Sequence, residues 1–287
     1  MGALLIAGMA FGLWLDEKMG PSWLPGMPSY PCWLVISLLF VVGSCRELLL
    51  LFGFRGLQTN AVLSYGGVIA LTLANWIPWF IGPAGVASHL AWVFATMCVV
   101  NMIVLIREGL IFRQPGQAVI TSGVGILTTF YLGGLAAFLI ELRWANEGII
   151  AIASLMAAAK GGDIGAYFGG RALGRHKLCP WLSPKKTVEG AVSGLAASVL
   201  VTLLVVRTGA RFSDNPPALS WLVAASFGLS VGAMAQIGDL IESLIKRDCQ
   251  QKDASNSVPG FGGILDVLDS PLFSAPLAFG LWHWLGP

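Results

Sequence analysis

The chain is organised as long apolar stretches separated by short polar segments. A membrane-spanning helix needs about 20 mostly apolar residues. Nine stretches come close to this: 2–15, 32–52, 61–81, 86–106, 118–140, 147–170, 190–206, 219–238 and 264–285. The first lacks a basic start and an A-x-A site, which favours a helix over a cleaved signal. The pattern predicts an all-α polytopic membrane helix bundle with about nine spans, or eight spans and a surface segment.

Composition supports this class and excludes others. Of the 287 residues, 56% are hydrophobic and 11% are charged, whereas soluble domains carry about 25% charged residues. The net charge of +2 is too small to indicate a nucleic-acid partner, and we expect none. The five cysteines are scattered without metal-ligand spacing, so we expect no redox or cysteine–metal site.

The basic residues predict an orientation. Odd-numbered loops hold few of them: Lys18, Arg143, Arg207 and Arg211. Even-numbered loops hold Arg55, Arg107, Arg113, Arg171, Arg175, Lys177, Lys185, Lys186, Lys246, Arg247 and Lys252. Because Lys and Arg accumulate in cytoplasmic loops, the N-terminus and the even loops are predicted to be cytoplasmic. We therefore expect a multi-pass protein of the cell (plasma or inner) membrane whose active site faces the cytoplasm.

The chain is predicted to be one membrane domain, 1–287, with its chemistry in the second half. Residues 1–150 form mainly apolar scaffold spans, and residues 151–287 carry the candidate site. An exception is Arg46-Glu47 inside the second span. A charge within a membrane is costly unless it is paired, so we interpret these two residues as a structural ion pair or as a tilt towards the interface. The alternative is a role in binding the substrate.

The first candidate motif runs from Lys160 to Arg171. At 3.6 residues per turn, Lys160, Asp163, Tyr167 and Arg171 share one helix face. Glycines recur every four residues beside it, at Gly161, Gly165 and Gly169. Such spacing lets a neighbouring backbone approach closely. The motif predicts a polar cavity lined by a tightly packed helix; the alternative is helix packing with a structural Lys160–Asp163 pair.

The second candidate motif is a basic loop that leads into a helix. Two hydroxyl residues flank a pair of lysines in it: Ser183, Lys185, Lys186 and Thr187. Hydroxyls, ammonium groups and a helix N-terminus together suit a phosphate group. The loop therefore predicts a phosphate-binding site, with contact to anionic lipid headgroups as the alternative.

The third candidate motif combines carboxylates, cations and a glycine turn. Asp239, Glu242, Ser243 and Lys246 lie on one face of a predicted helix. Further along come Arg247, Lys252, Gly262, Gly263, Asp266 and Asp269. Carboxylates gathered at helix ends need a cation, and hard oxygen ligands favour Mg²⁺. The metal ligands are predicted to be Asp239, Asp266 and Asp269.

Cations beside such carboxylates indicate a polyphosphate substrate. Lys246, Arg247 and Lys252 supply the positive charge. Carboxylates, a metal ion and cations together are typical of phosphoryl or nucleotidyl transfer. The alternative is a fixed network of structural salt bridges.

These motifs resemble those of the phosphatidate cytidylyltransferases, also called CDP-diacylglycerol synthases. The family signature runs Ser-x-x-Lys-Arg, four residues, Lys-Asp, then Pro-Gly-His-Gly-Gly and Asp-Arg-x-Asp. Here it reads Ser243-Leu-Ile-Lys246-Arg247, four residues, Lys252-Asp253, Pro259-Gly260-Phe261-Gly262-Gly263 and Asp266-Val267-Leu-Asp269. The likeness covers residues 160–270 in the same order. Phe261 stands where the family has His, and Val267 where it has Arg.

The resemblance implies a function. CTP and phosphatidate, or a related lipid phosphate, would react to give a CDP-lipid and pyrophosphate. The reaction would require Mg²⁺, and a second cation is left open. Lys246, Arg247 and Lys252 would be catalytic. Asp163, Ser183, Lys185, Lys186, Thr187, Ser243, Gly262 and Gly263 would contact substrate phosphates. Membrane lipids are further partners, and the family alone suggests a homodimer. The two departures leave open a non-catalytic lipid-binding or transport paralogue.

Overall fold

The chain forms a nearly all-α structure, as predicted. The computed structural model describes residues 2–20, 29–57, 59–81, 86–113, 115–211, 219–252, 255 and 262–285. The helices are α1 (Gly2–Met19), α2 (Pro31–Phe54), α3 (Ala61–Ala74), α4 (Ile77–Ile81), α5 (Val86–Ile111), α6 (Ala118–Thr128), α7 (Leu135–Glu141), α8 (Gly148–Leu173), α9 (Val188–Gly209), α10 (Trp221–Asp248) and α11 (Ile264–Leu285). A π-helical segment, Thr129–Gly134, joins α6 to α7, and a short 3-10 turn, Leu142–Trp144, follows α7.

Seven helices of the described chain are long and apolar enough to cross a membrane, against nine predicted. They are Pro31–Phe54, His89–Ile111, Ala118–Trp144, Gly148–Leu173, Val188–Gly209, Trp221–Asp248 and Ile264–Trp284. The other two predicted spans correspond to α1 and to α3 with α4. Helix α1 ends in Asp16-Glu17-Lys18, and the apolar stretch 61–81 is interrupted at Asn75-Trp76 between α3 and α4.

The chain divides into two compact units. Unit 1 comprises residues 1–140 and 249–266, and unit 2 comprises residues 141–248 and 267–287. The predicted organisation, one membrane domain over 1–287 with scaffold spans in 1–150, stays a prediction.

Within unit 1, buried carboxylates cap helices. Asp16 of α1 accepts hydrogen bonds from the backbone N of Cys32 (3.1 Å) and of Trp33 (2.8 Å), at the start of α2. Glu47 of α2, which is 1% exposed, accepts from the backbone N of Ile264 (3.0 Å) and Leu265 (2.8 Å), at the start of α11. Glu47 therefore caps a helix N-terminus, a contact that the predicted Arg46–Glu47 pair did not include.

Within unit 2, glycines allow α8 and α9 to pack closely, as predicted. A side-chain carbon added at Gly161 would lie 3.2 Å from Val201, and additions at Gly165 and Gly169 would collide with Ala197 and Ser193 of α9. The Ser198 hydroxyl of α9 donates to the backbone O of Ala158 at 2.7 Å. Only small residues at this seam leave room for the two backbones.

A β-hairpin between α8 and α9 is a feature that the all-α prediction lacked. Strand β1 (Lys177–Cys179) pairs antiparallel with β2 (Ser183–Thr187). The predicted phosphate-binding loop is therefore a strand that runs directly into α9. The Thr187 hydroxyl caps this helix by accepting from the backbone N of Gly190 at 3.1 Å.

Candidate active site

Three carboxylates converge in unit 2. Asp239 and Glu242 lie one turn apart on α10, and Asp269 lies on α11. One oxygen of each lies within 4.8 Å of the others. Asp239 is half-buried, whereas Glu242 and Asp269 are 1% and 4% exposed. Buried carboxylates at this spacing repel one another unless cations lie between them.

Lys160 of α8 supplies one such cation. Its Nζ lies 3.0 Å from Asp269 Oδ1 and 3.3 Å from Asp163 Oδ2. Ser270 adds two hydrogen bonds to Asp269 Oδ1, from its backbone N at 2.6 Å and from its hydroxyl at 3.1 Å. Lys160 thus ties α8 to α11 and fixes the orientation of the Asp269 carboxylate.

Two more lysines contact the other carboxylates. Lys186 Nζ of β2 lies 2.5 Å from Asp239 Oδ2, and Lys246 Nζ lies 2.6 Å from Glu242 Oε2. Lys246 and Glu242 are four residues apart on α10 and both are largely buried, with side chains 12% and 1% exposed. The side chains of Lys186 and Asp239 are 26% and 30% exposed, so this pair is open to solvent and to ligands.

A cavity of about 440 Å³ adjoins the carboxylates. Asp163, Lys186 and Asp239 lie in its wall. Its polar lining further includes Lys185, Arg171, Thr187, Tyr167 and Gln236. Leu178, Ala166 and Ala191 give it an apolar side. Of the residues predicted to bind phosphate, four therefore line one cavity: Asp163, Lys185, Lys186 and Thr187.

Glu189 holds the loop before the hairpin. Its carboxylate accepts from the backbone N of Arg175 (3.0 Å) and of His176 (3.2 Å), and it lies 2.6 Å from His176 Nδ1. These bonds join the first turn of α9 to the chain that leaves α8. The hairpin that carries Lys185 and Lys186 is therefore anchored at both ends.

The remaining predicted site residues belong to both units. In unit 2, Ser183 pairs with Cys179 in the hairpin, Ser243 is half-buried on α10, and Arg247 is exposed. In unit 1, Lys252 is exposed, Gly262 has φ +86°, and Gly263 N donates to Asp266 Oδ2 at 2.6 Å. Asp266 therefore contacts the turn before its own helix. Phe261 lies outside the described residues.

The carboxylate group fits a divalent cation. Its oxygens are hard ligands, and oxygens on opposite sides of a Mg²⁺ ion lie about 4.2 Å apart. The observed limit of 4.8 Å exceeds this separation only slightly. Asp239 and Asp269 belong to both the predicted ligand set and the observed group. Glu242 is the third member of the observed group, where the prediction has Asp266.

The sequence interpretation missed two roles: Glu242 as a candidate metal ligand and Lys160 as a partner of Asp269. The i, i+3 spacing from Asp239 already placed Glu242 on the same helix face, and that signal could have identified it as a ligand. Lys160 was predicted to lie on the polar face of a cavity-lining helix, or to pair with Asp163, but not to contact Asp269. Its contact with Asp269 joins residues 109 positions apart, for which one sequence carries no local signal.

The fold and the site together define a class: a polytopic helical membrane protein with buried carboxylates beside a basic cavity. The sequence matches the cytidylyltransferase family over residues 22–285. A phosphatidate cytidylyltransferase of Bacillus subtilis is 32% identical over 253 residues, covering 85% of this chain and 87% of that protein. The chain belongs to the cytidylyltransferase family.

Two further relatives match over shorter regions. A phosphatidate cytidylyltransferase of Synechocystis is 35% identical over 195 residues, which is 58% of this chain and 64% of that protein. One of Chlamydia muridarum is 41% identical over 127 residues, which is 44% of this chain and 41% of that protein. The chain thus matches less than two thirds of the length of these two relatives.

Proposed function

We propose that this protein transfers a cytidylyl group from CTP to phosphatidate, giving CDP-diacylglycerol and pyrophosphate. One observation carries the proposal: the carboxylate group of Asp239, Glu242 and Asp269 adjoins a cavity lined by Arg171, Lys185 and Lys186. The relatives named as phosphatidate cytidylyltransferases support the choice of both substrates.

The reaction is a displacement at phosphorus. An oxygen of the phosphatidate phosphate attacks the α-phosphorus of CTP and forms a new P–O–P linkage. The bond from the α-phosphorus to the bridging oxygen of the β-phosphate breaks, and pyrophosphate leaves with that electron pair. The lipid phosphate is already ionised near neutral pH, so the step needs no dedicated general base.

The residues of the site supply orientation and charge. Lys185, Lys186 and Arg171 would bind phosphate groups in the cavity, where charge-assisted hydrogen bonds are strong. Lys186 would exchange part of its contact with Asp239 for a substrate phosphate. Lys160 would hold Asp163 and Asp269 in place throughout. Lys246, Arg247 and Lys252 remain candidates for binding the triphosphate and the leaving pyrophosphate.

We further propose that Asp239, Glu242 and Asp269 hold Mg²⁺, with a second cation left open. A bound Mg²⁺ ion would neutralise charge on the reacting phosphates. Asp266 remains a predicted ligand that contacts Gly263 N in this structure. The protein would act in the cell membrane, with this site facing the cytoplasm, where CTP is present.

The test is formation of CDP-diacylglycerol from CTP and phosphatidate by the purified full-length protein, with Mg²⁺ and with a chelator. We expect Mg²⁺-dependent product, and a loss of at least about 100-fold in Asp269→Asn, because one charged ligand is removed. Asp248→Asn is the matched control, since Asp248 is an exposed carboxylate at the end of α10.

Two results would contradict the proposal. If the folded wild type makes no CDP-lipid from phosphatidate, the lipid substrate is wrong, and other lipid phosphates become the next candidates. If Asp269→Asn retains the activity of Asp248→Asn, the carboxylate group is not the reaction site. CTP binding without turnover on any lipid phosphate would identify a non-catalytic member of the family.

A further inference from the structure

A second cavity lies in unit 1, among residues that the proposed reaction does not use. It measures about 360 Å³ and lies where α5 ends and α6 begins. Its polar lining comprises Arg107, Arg113, Gln117, Thr121, Thr59 and Asn60, together with Glu108, whose carboxylate pairs with Arg107. The cavity thus presents guanidinium, amide and hydroxyl groups, the groups that bind phosphate oxygens in proteins.

The two arginines differ in their surroundings. Arg107 is half-buried and forms an ion pair with its neighbour Glu108, which is 8% exposed. Arg113 is exposed and donates from Nη1 to the backbone O of Phe112 at 3.3 Å. That bond uses one of the N–H donors of Arg113, so the guanidinium can bind an anion without giving up a buried ion pair.

The start of α6 adds to the preference for an anion. Its N-cap residue, Gln117, makes no side-chain capping hydrogen bond, and the first turn, from Ala118 to Thr121, borders the cavity. Backbone N–H groups of a first helical turn carry partial positive charge and favour anions. The arginines and the helix N-terminus therefore both favour a negatively charged ligand.

The position of the cavity at the membrane surface, beside exposed apolar side chains, suits a lipid ligand. It lies between two candidate membrane spans, His89–Ile111 and Ala118–Trp144, and so at a membrane surface. Leu110 of α5 is 75% exposed and Val119 of α6 is 84% exposed. Apolar side chains exposed at the end of a spanning helix face acyl chains, whereas arginines there reach the headgroups.

We propose that this cavity binds the phosphate of an anionic glycerophospholipid, at a site separate from the carboxylate site of unit 2. The headgroup phosphate would accept hydrogen bonds from Arg113, Arg107 and the first turn of α6. The acyl chains would lie along the exposed apolar side chains of α5 and α6. A free phosphate would satisfy the same donors but would leave those apolar side chains unused.

The test counts lipids bound to the delipidated full-length protein by native mass spectrometry. The probes are dioleoylphosphatidylglycerol, which is anionic, and dioleoylphosphatidylcholine, which is zwitterionic. We expect Arg113→Glu to weaken binding of phosphatidylglycerol by about ten-fold or more, because a charge-assisted contact becomes repulsive. Arg211→Glu is the matched control, an exposed arginine two residues after another candidate span, α9, that does not line the cavity.

A second variant tests Arg107 without leaving the carboxylate of Glu108 unpaired. In the double variant Arg107→Gln and Glu108→Gln, both charges of the buried pair are removed together. We expect it to weaken binding of phosphatidylglycerol as well, with an unfolding midpoint close to that of the wild type. Because the readout is binding, this test is independent of the cytidylyl-transfer reaction.

Three outcomes would overturn the proposal. Equal weakening by Arg113→Glu and Arg211→Glu would indicate general charge attraction. Equal affinity for the two lipids would indicate apolar contacts alone. Displacement of phosphatidylglycerol by excess inorganic phosphate would identify a pocket for free anions.

Discussion

At the residue scale, Glu242 has two candidate roles that can be separated. It lies in the carboxylate group with Asp239 and Asp269, and it also forms a buried ion pair with Lys246. If it is a metal ligand, its charge matters for Mg²⁺ whether or not Lys246 is present. If it is only a salt-bridge partner, its removal matters only for stability.

A mutant cycle distinguishes these roles. We expect Glu242→Gln to raise the Mg²⁺ concentration needed for half-maximal activity by about ten-fold or more, as losses of this order follow removal of groups that support metal sites. The double variant with Lys246→Met should keep this raised requirement while regaining thermal stability, since no buried charge is left without its partner. Mg²⁺ titrations and unfolding midpoints of the four proteins are the measurements. An unchanged Mg²⁺ requirement in Glu242→Gln would remove it from the ligand set.

At the element scale, Glu47 of α2 is held against the turn before α11 by hydrogen bonds. The Glu47 carboxylate accepts hydrogen bonds from two backbone N–H groups of α11 and from the Ser255 hydroxyl at 2.6 Å. Gly263 lies directly against this carboxylate, where any side-chain carbon would collide with it. A glycine there allows the Glu47 carboxylate to approach the backbone without being displaced.

This contact predicts a large effect on stability. We expect Glu47→Ala to lower the free energy of unfolding by about 2–4 kcal/mol, because it leaves buried N–H groups at a helix start without their acceptor. Ser255→Ala removes one hydroxyl donor to the same carboxylate and should cost about 1 kcal/mol. Thermal unfolding of the purified proteins compares the two. Equal midpoints for Glu47→Ala and the wild type would refute the capping role.

Features that depend on neighbouring residues could be predicted from the sequence, whereas contacts between residues far apart in the chain could not. Periodicity predicted the helices and the glycine seam of α8, because each depends on residues within a few turns. The hairpin was missed because Lys177–Thr187 is short and basic, and its strands lack an alternating apolar pattern. The contacts Glu47–Ile264 and Lys160–Asp269 join residues far apart in the chain. One sequence predicts the chemistry of such residues but not their partners.

At the scale of the whole molecule, the distribution of charge tests how many helices cross the membrane. Arg55 follows α2, and Arg113 follows α5. Between Arg55 and Arg113 the chain passes through the stretch 61–81, which includes α3 and α4, and then through α5. If α5 crosses the membrane, the stretch 61–81 must cross as well for both arginines to face the cytoplasm. Helix α3 has 14 residues and is too short to cross alone, whereas 21 residues of helix would extend about 30 Å, the thickness of a bilayer core. We therefore expect α3 and α4 to cross together as one broken span.

Cysteine labelling in intact and permeabilised cells tests this arrangement. In a variant without the five native cysteines, Arg55→Cys and Arg113→Cys should both react with a membrane-impermeant maleimide only after permeabilisation. Thr208→Cys, exposed near the end of α9, should react in intact cells and serves as the control for the opposite side. If Arg55→Cys and Arg113→Cys react from opposite sides, α3 and α4 do not cross. If Ala118–Trp144 and α8 both cross, the basic hairpin lies on the same side of the membrane as Arg113, so the same labels test the proposed cytoplasmic orientation of the site.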